Sequence, residues 1–164
     1  TISKDDADKT SYNPVVCNLK EICLEVIETS FSHQKDDREV EVQFDDSLVE
    51  IFADINLIKY TLFNVLSNAF KYSVGFGNVK LNLFTNQNKV FIEIIDNGIG
   101  IPEEDQPKLF NTFFRASNSN GIQGTGLGLY IIKMFTKKNS GNVALESQLG
   151  KGTKVTLQFP LNDK

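Results

Sequence analysis

Apolar residues recur at helical spacing from about Asp54 to Tyr72, at Ile55, Ile58, Leu62, Val65, Leu66 and Ala69. That spacing predicts a helix with one buried face, and Asp54 can cap its start. A second such pattern covers Asn18 to Phe31, with Leu19, Ile22, Cys23, Val26 and Ile27 apolar and Asn18 placed as N-cap. A third runs from Leu127 to Lys138. Other stretches alternate instead. Val40, Val42 and Phe44 read as a strand, and Val49–Ala53 as a second short one. Asn78–Thr85 and Lys89–Asp96 follow, joined by Asn86, Gln87 and Asn88 as a hairpin turn. Val143–Ser147 and Thr153–Phe159 form a closing hairpin around Gly150 and Gly152. Between them, residues 97–125 are rich in Gly, Pro, Asn and Ser, with one helical candidate at Glu103–Phe113. An irregular insertion of that length is more often functional than passive.

Strands with one apolar and one polar face fit a largely antiparallel sheet covered on one side. Three amphipathic helices can supply the cover. The expected fold is therefore a two-layer α+β sandwich with a mixed, largely antiparallel sheet. Residues 13–160 would form the domain, with 1–12 a polar tail or the end of a preceding element and 161–164 a C-terminal tail.

Composition narrows the function. The chain has 164 residues, enough for one domain with a sizeable core. Phe is used 13 times and Trp is absent, so the core is Phe-rich. The net charge of −4 leaves no basic surface for nucleic acid. No run of ~18 apolar residues offers a membrane span, and no signal-peptide pattern opens the chain. Cys17 and Cys23 lack metal-ligand spacing and read as reduced core residues, which favours a cytoplasmic setting. His33 lies in the polar run F-S-H-Q-K-D-D and reads as a surface residue.

Asn64, Asn68 and Lys71 follow their own stripe, spaced i, i+4, i+7 along one side of the central helix. Such a row is either a solvated face or a set of metal-ligand oxygens beside a phosphate-binding cation. Seven of the eleven glycines fall in the clusters at 96–102, 124–128 and 150–153. The middle cluster opens a predicted helix, whose N–H groups can cradle phosphates. It matches neither a P-loop nor a Rossmann fingerprint. Parity places Asp96 on the face of Val90, Ile92 and Ile94, toward the helices. A carboxylate there can accept a hydrogen bond from an exocyclic amine, or simply form the turn before Asn97-Gly98.

Taken in order, these stretches resemble the boxes of sensor histidine kinases. Asn64-x-x-x-Asn68-Ala69-x-Lys71-Tyr72-Ser73 is similar to their asparagine box. D-N-G-I-G-I-P at 96–102 resembles the first glycine box, and K-L-F-N-T-F-F-R at 108–115 the phenylalanine box. G-T-G-L-G-L at 124–129 and G-K-G-T at 150–153 resemble the second and third glycine boxes. The resemblance covers roughly residues 13–160 and implies the Bergerat fold of a histidine kinase catalytic domain, with ATP and Mg²⁺ as ligands.

The resemblance also implies roles. Asp96 would read the adenine amino group, with Gly98 and Gly100 shaping the loop beside it. Asn64 and Asn68 would ligate Mg²⁺, Lys71 would contact phosphate, and Tyr72 would line the nucleotide site. Gly124, Thr125, Gly126, Leu127 and Gly128 would wrap the phosphates, and Thr153 would support the site. Residues 102–125 would be a flexible ATP lid, with Phe110, Phe113 and Phe114 at its base or toward a partner. Arg115 is either a γ-phosphate contact or a solvated lid residue. The implied partners are a phosphoacceptor histidine on a separate dimerisation domain and, downstream, a response regulator receiver domain. The isolated domain would be monomeric, without nucleic-acid or membrane contact.

Two positions depart from the family pattern. Tyr60 stands where Glu or Gln is usual, and Leu57 where Arg often stands. The acceptor box S-H-E-L-R-T-P-L is missing, and His33-Gln34-Lys35-Asp36 does not match it, so an excised domain is expected. Related ATPases carry Glu where Asn64 stands. An amide cannot take up a proton, so Asn64 argues for transfer over hydrolysis. The rivals are a nucleotide-sensing module without catalysis, another Bergerat-fold ATPase, and an anti-sigma-type serine kinase.

Overall fold

Asp54 joins three parts of the chain. In the computed structural model, which describes residues 4–45, 47, 49–111, 114–119 and 128–162, it caps helix α3 (Ile55–Lys71). One carboxylate oxygen accepts from the N–H groups of Asn56 and Leu57, at 2.9 and 3.2 Å. The other accepts from the N–H of Asn13 at 2.8 Å, just ahead of strand β1 (Val15–Asn18). Its own N–H donates to Oδ1 of buried Asn139, which follows helix α4 (Gly128–Lys138). The expected cap forms, and it also anchors the neighbouring helix.

The remaining elements are helix α1 (Lys4–Lys9), helix α2 (Leu19–Ser30) and strands β2 (Val40–Phe44), β3 (Glu50–Ala53), β4 (Val79–Asn86), β5 (Lys89–Asp96), β6 (Asn142–Gln148) and β7 (Gly152–Pro160). Among the described residues they build a five-stranded sheet ordered β2-β4-β5-β7-β6 and a small pair, β1-β3. The β2–β4 pair is parallel, with α3 in the crossover; the other pairs are antiparallel. Gln87 and Asn88 both take positive φ, 49° and 64°, as a type I′ hairpin turn requires. No helix among the described residues is long and apolar enough to cross a membrane.

Alternation sorts the sheet as expected. Val79, Leu81, Leu83, Val90, Ile92, Ile94, Leu157 and Phe159 are buried beneath α2, α3 and α4. Each such side chain contributes about 1.5–3 kcal/mol. Lys154, on the other face, pairs with Glu93 and Glu146 at 3.4 and 3.1 Å. Cys17 and Cys23 are free and buried, and burial pushes the Cys23 thiol up to about 12. His33 is exposed. Glu103–Lys108 forms a 3₁₀ turn where a longer helix was expected. Pro107 lacks the N–H that an α-helix needs there.

The end of α3, the loop after β5 and the turn before β7 cross with backbone against backbone. The Ile99 N–H donates to the Tyr72 carbonyl at 3.1 Å, and Gly150 N–H to the Ile99 carbonyl at 2.8 Å. A Cβ on Gly98 would lie 2.0 Å from the Tyr72 oxygen. A Cβ on Gly152 would lie 2.0 Å from the Asp96 oxygen, and Gly152 also has φ of 104°. Arg38 clamps the same end of α3. Its guanidinium donates to the carbonyls of Ser73 and Phe70 at 3.1 and 3.0 Å and lies 5.0 Å from the Phe70 ring centroid.

Asn139→Ala should destabilise the domain by about 2–3 kcal/mol, because it leaves the Asp54 N–H buried without a partner. Urea unfolding checks this, and a shift within about 0.5 kcal/mol would count against the anchor. Gly98→Ala should cost about 1–3 kcal/mol or more, since a backbone carbonyl cannot yield as a side chain does. An unchanged urea midpoint would show that the crossing is loose.

Candidate functional site

The polar stripe of α3 does not face solvent. Asn64, Asn68 and Lys71 line a cavity of about 270 Å³. Its floor is the helix-facing side of the sheet and its rim is the segment after β5 and the start of α4. Of the residues expected at a ligand, Tyr72, Asp96, Gly100, Arg115, Gly128 and Thr153 line it too. Gly98 does not; the backbone of Tyr72 and Ser73 fills the space beside it. Gly124, Thr125, Gly126 and Leu127, with Phe113, lie outside the described residues.

At one end stands Asp96, which is 7% exposed. Strand parity puts it on the buried row of β5. Burial pushes its carboxyl up to about 6, while N–H donors from Gly98, at 2.9 Å, and Thr153 pull it back down. Ile94, Leu145 and Val155 give this end apolar walls. A buried carboxylate in an apolar slot suits a flat ligand that brings its own N–H donor.

The opposite chemistry comes from α3 and α4. Asn64 Nδ2 donates to the Tyr60 carbonyl at 2.8 Å, which commits the amide nitrogen to the helix and leaves Oδ1 as the outward end. Burial, and then the Arg115 charge, push the Lys71 ammonium down from its usual value. Gly128, the first described residue of α4, lines the cavity, and a Cβ there would sit 3.8 Å from Asn68 Nδ2. Two cations lining this end, Lys71 and Arg115, fit a polyanion. Among the described residues no group of three or more His, Cys, Asp or Glu can hold a metal. The two amide oxygens therefore fit a hard cation only where a ligand supplies further oxygens.

Several residues that shape the rim carry no sequence signal. The Ile101 N–H donates to Ser147 Oγ at 2.9 Å. Gln106 Nε2 donates to the carbonyls of Ile101 and Ser147, both at 3.0 Å. Asp105 accepts from Ser117 through its N–H and Oγ, at 2.8 and 2.7 Å. Asn118 Nδ2 donates to the Gly100 carbonyl at 2.8 Å. Arg115 lines the cavity and donates to the Ser119 carbonyl at 3.3 Å. Tyr60 packs edge-on against Phe135, with centroids 5.5 Å apart.

Residues 53–163 match the profile described as histidine kinase-, DNA gyrase B-, and HSP90-like ATPase. Sensor histidine kinase WalK of Bacillus subtilis (strain 168) is 37% identical over 123 residues, covering 73% of this chain and 20% of that protein. The chain spans 20% to 37% of the length of the first curated relatives it matches. The solved structure of mycobacterial sensor histidine kinase MprB superposes with a TM-score of 0.77 at 26% identity, over 94% of this chain and 100% of that one. Full-length ShkA, solved in complex with AMPPNP, gives a TM-score of 0.82 over 98% of this chain and 34% of that one; at 21% identity it bears on the fold alone. The chain thus belongs to the histidine kinase-, DNA gyrase B- and HSP90-like ATPase family, and within it to the catalytic domains of sensor histidine kinases.

Proposed function

We propose that this domain binds Mg-ATP and donates the γ-phosphoryl group to a histidine on a separate dimerisation domain, as the kinase of a two-component signalling pair. The observation that carries the reading is one cavity holding a buried acid at its apolar end and amides and cations at its polar end. Asp96 accepts a hydrogen bond from the adenine amine. Lys71 and the start of α4 hold phosphate oxygens, and Arg115 reaches the polyphosphate from the rim. Asn64 and Asn68 offer side-chain oxygens to Mg²⁺, which would neutralise phosphate charge when bound. The bond broken joins the γ-phosphorus to the β–γ bridging oxygen; the bond formed joins it to an imidazole nitrogen, and ADP leaves. Asn64 cannot serve as a base for water, which keeps hydrolysis slow.

The domain would work on the cytoplasmic side, with a receiver domain as the next acceptor. Residues 1–12 would lead in from the dimerisation domain, and 161–164 would follow the last strand.

Adenine binding and proton binding compete at Asp96. The native carboxyl, at about 6, holds its proton more tightly than the unfolded one, near 3.8. The free domain therefore draws stability from Asp96 that is complete below about pH 4 and lost as pH rises through about 6. The nucleotide needs the ionised form, so its affinity runs the other way. Calorimetric titration with Mg-ATP should show an affinity roughly tenfold lower at pH 5 than at pH 7. Asp96→Ala should weaken binding by at least about tenfold at pH 7 and flatten that profile, since a charge-assisted hydrogen bond is lost. Undiminished binding in the variant would refute the role given to Asp96.

A further inference from the structure

The last helix-facing row of the sheet is polar across three strands. Before it, Leu145, Val155 and Ile94 stand in register on β6, β7 and β5, and all three line the cavity. The next row in register is Ser147, Thr153 and Asp96. Period-two alternation keeps these three on the face that the apolar row presents to the cavity. Directly opposed residues on paired strands have Cβ atoms about 4.5–5.5 Å apart. Thr153 lines the cavity as the cross-strand neighbour of Asp96, and its N–H donates to the Asp96 carboxylate.

The direction of the hydroxyl bonds follows from counting protons. Ser147 Oγ carries one proton and two lone pairs. The Ile101 N–H donates to it at 2.9 Å. The Gly152 carbonyl, 3.0 Å away, can only accept, so the Ser147 proton goes there. Thr153 Oγ1 is the remaining neighbour, at 2.8 Å, and Ser147 has one lone pair left for it. The Thr153 hydroxyl thus donates to Ser147, and Thr153 Oγ1 has only lone pairs to offer a ligand.

We infer that Ser147 is a positioning residue for base recognition: it holds the Thr153 hydroxyl proton away from the cavity, so that Thr153 Oγ1 stands beside Asp96 as a second acceptor for the amine of the bound base. This rests on the nucleotide-binding reading given above. An exocyclic amine has two N–H groups, one for each acceptor. A carbonyl at the same place on the base meets two acceptors and no donor. Ser147 touches neither base nor phosphate in this scheme; it acts through Thr153.

The test is calorimetric titration with Mg-ATP and with Mg-ITP, whose base carries a carbonyl where adenine has its amine. The readout is the ratio of the two affinities, which a general loosening of the rim leaves unchanged because it acts on both nucleotides alike. Wild type should favour ATP. Ser147→Ala frees the Thr153 proton to meet a carbonyl, so the ratio should fall by about fivefold or more. Where that variant does not fold, Ser147→Cys takes its place, with a weak acceptor in a similar volume. Ser147→Thr keeps a hydroxyl and should keep the wild-type ratio. Thr153→Val should lower the ratio too, and adding Ser147→Ala to it should change the ratio no further. A wild-type ratio retained in Ser147→Ala or Thr153→Val, a ratio in Ser147→Thr as low as in Ser147→Ala, or a further fall in the double variant would overturn the inference. A wild-type domain that binds neither nucleotide would instead overturn the nucleotide reading itself.

Discussion

Three stretches of backbone meet without side chains between them at one place, and the cavity depends on that meeting. The end of α3, the 96–101 loop and the 148–152 turn are joined by the Ile99–Tyr72 and Gly150–Ile99 hydrogen bonds. Gly98 sits against the Tyr72 carbonyl, Gly100 against that of Gln148, and Gly152 against that of Asp96. Because the contact is between main chains, it fixes the polar wall on α3 relative to the acid at the end of β5. Arg38 reinforces it from outside by holding the last carbonyls of α3. Asp54 and Asn139 do the same at the other end of α3, tying in α4.

With that frame in place, the two ends of the cavity carry opposite chemistry. Asp96 is a carboxylate in an apolar slot, where burial opposes its charge. Burial, and then the like charge of Arg115, push the Lys71 ammonium down. Each end is improved by a ligand of complementary chemistry, a donor at the first and a polyanion at the second.

The sheet, the helices that cover it and the Asp54 and Asn18 caps were legible because period and capping chemistry are local. Asp96 was legible because parity along a strand carries a residue's face with it. The polar stripe on α3 was legible as a row, but its enclosure was not, since the rim arises from residues far along the chain. The glycines at 98, 100 and 152 were visible as clusters, yet local sequence could not say that three of them clear a path for other backbone. Gln106, Ser147 and Asn118 bond to partners 5 to 46 positions away, pairings that local sequence does not announce. Pro107 did carry a signal, and it explains why the predicted helix at 103–113 is a short 3₁₀ turn. Residues 124–127, expected to wrap phosphates, lie outside the described residues.

On the proposed reading, the amide at position 64 and the acid and cations of the cavity make this domain a phosphoryl donor rather than a hydrolase. The most direct test supplies γ-labelled ATP and Mg²⁺ to the domain with its dimerisation domain added in trans, and follows label on protein against label released as phosphate. The expected result is acid-labile, base-stable label on a histidine of the dimerisation domain, none on His33, and little free phosphate. Rapid release of phosphate without labelled histidine, or label on a serine, would contradict it.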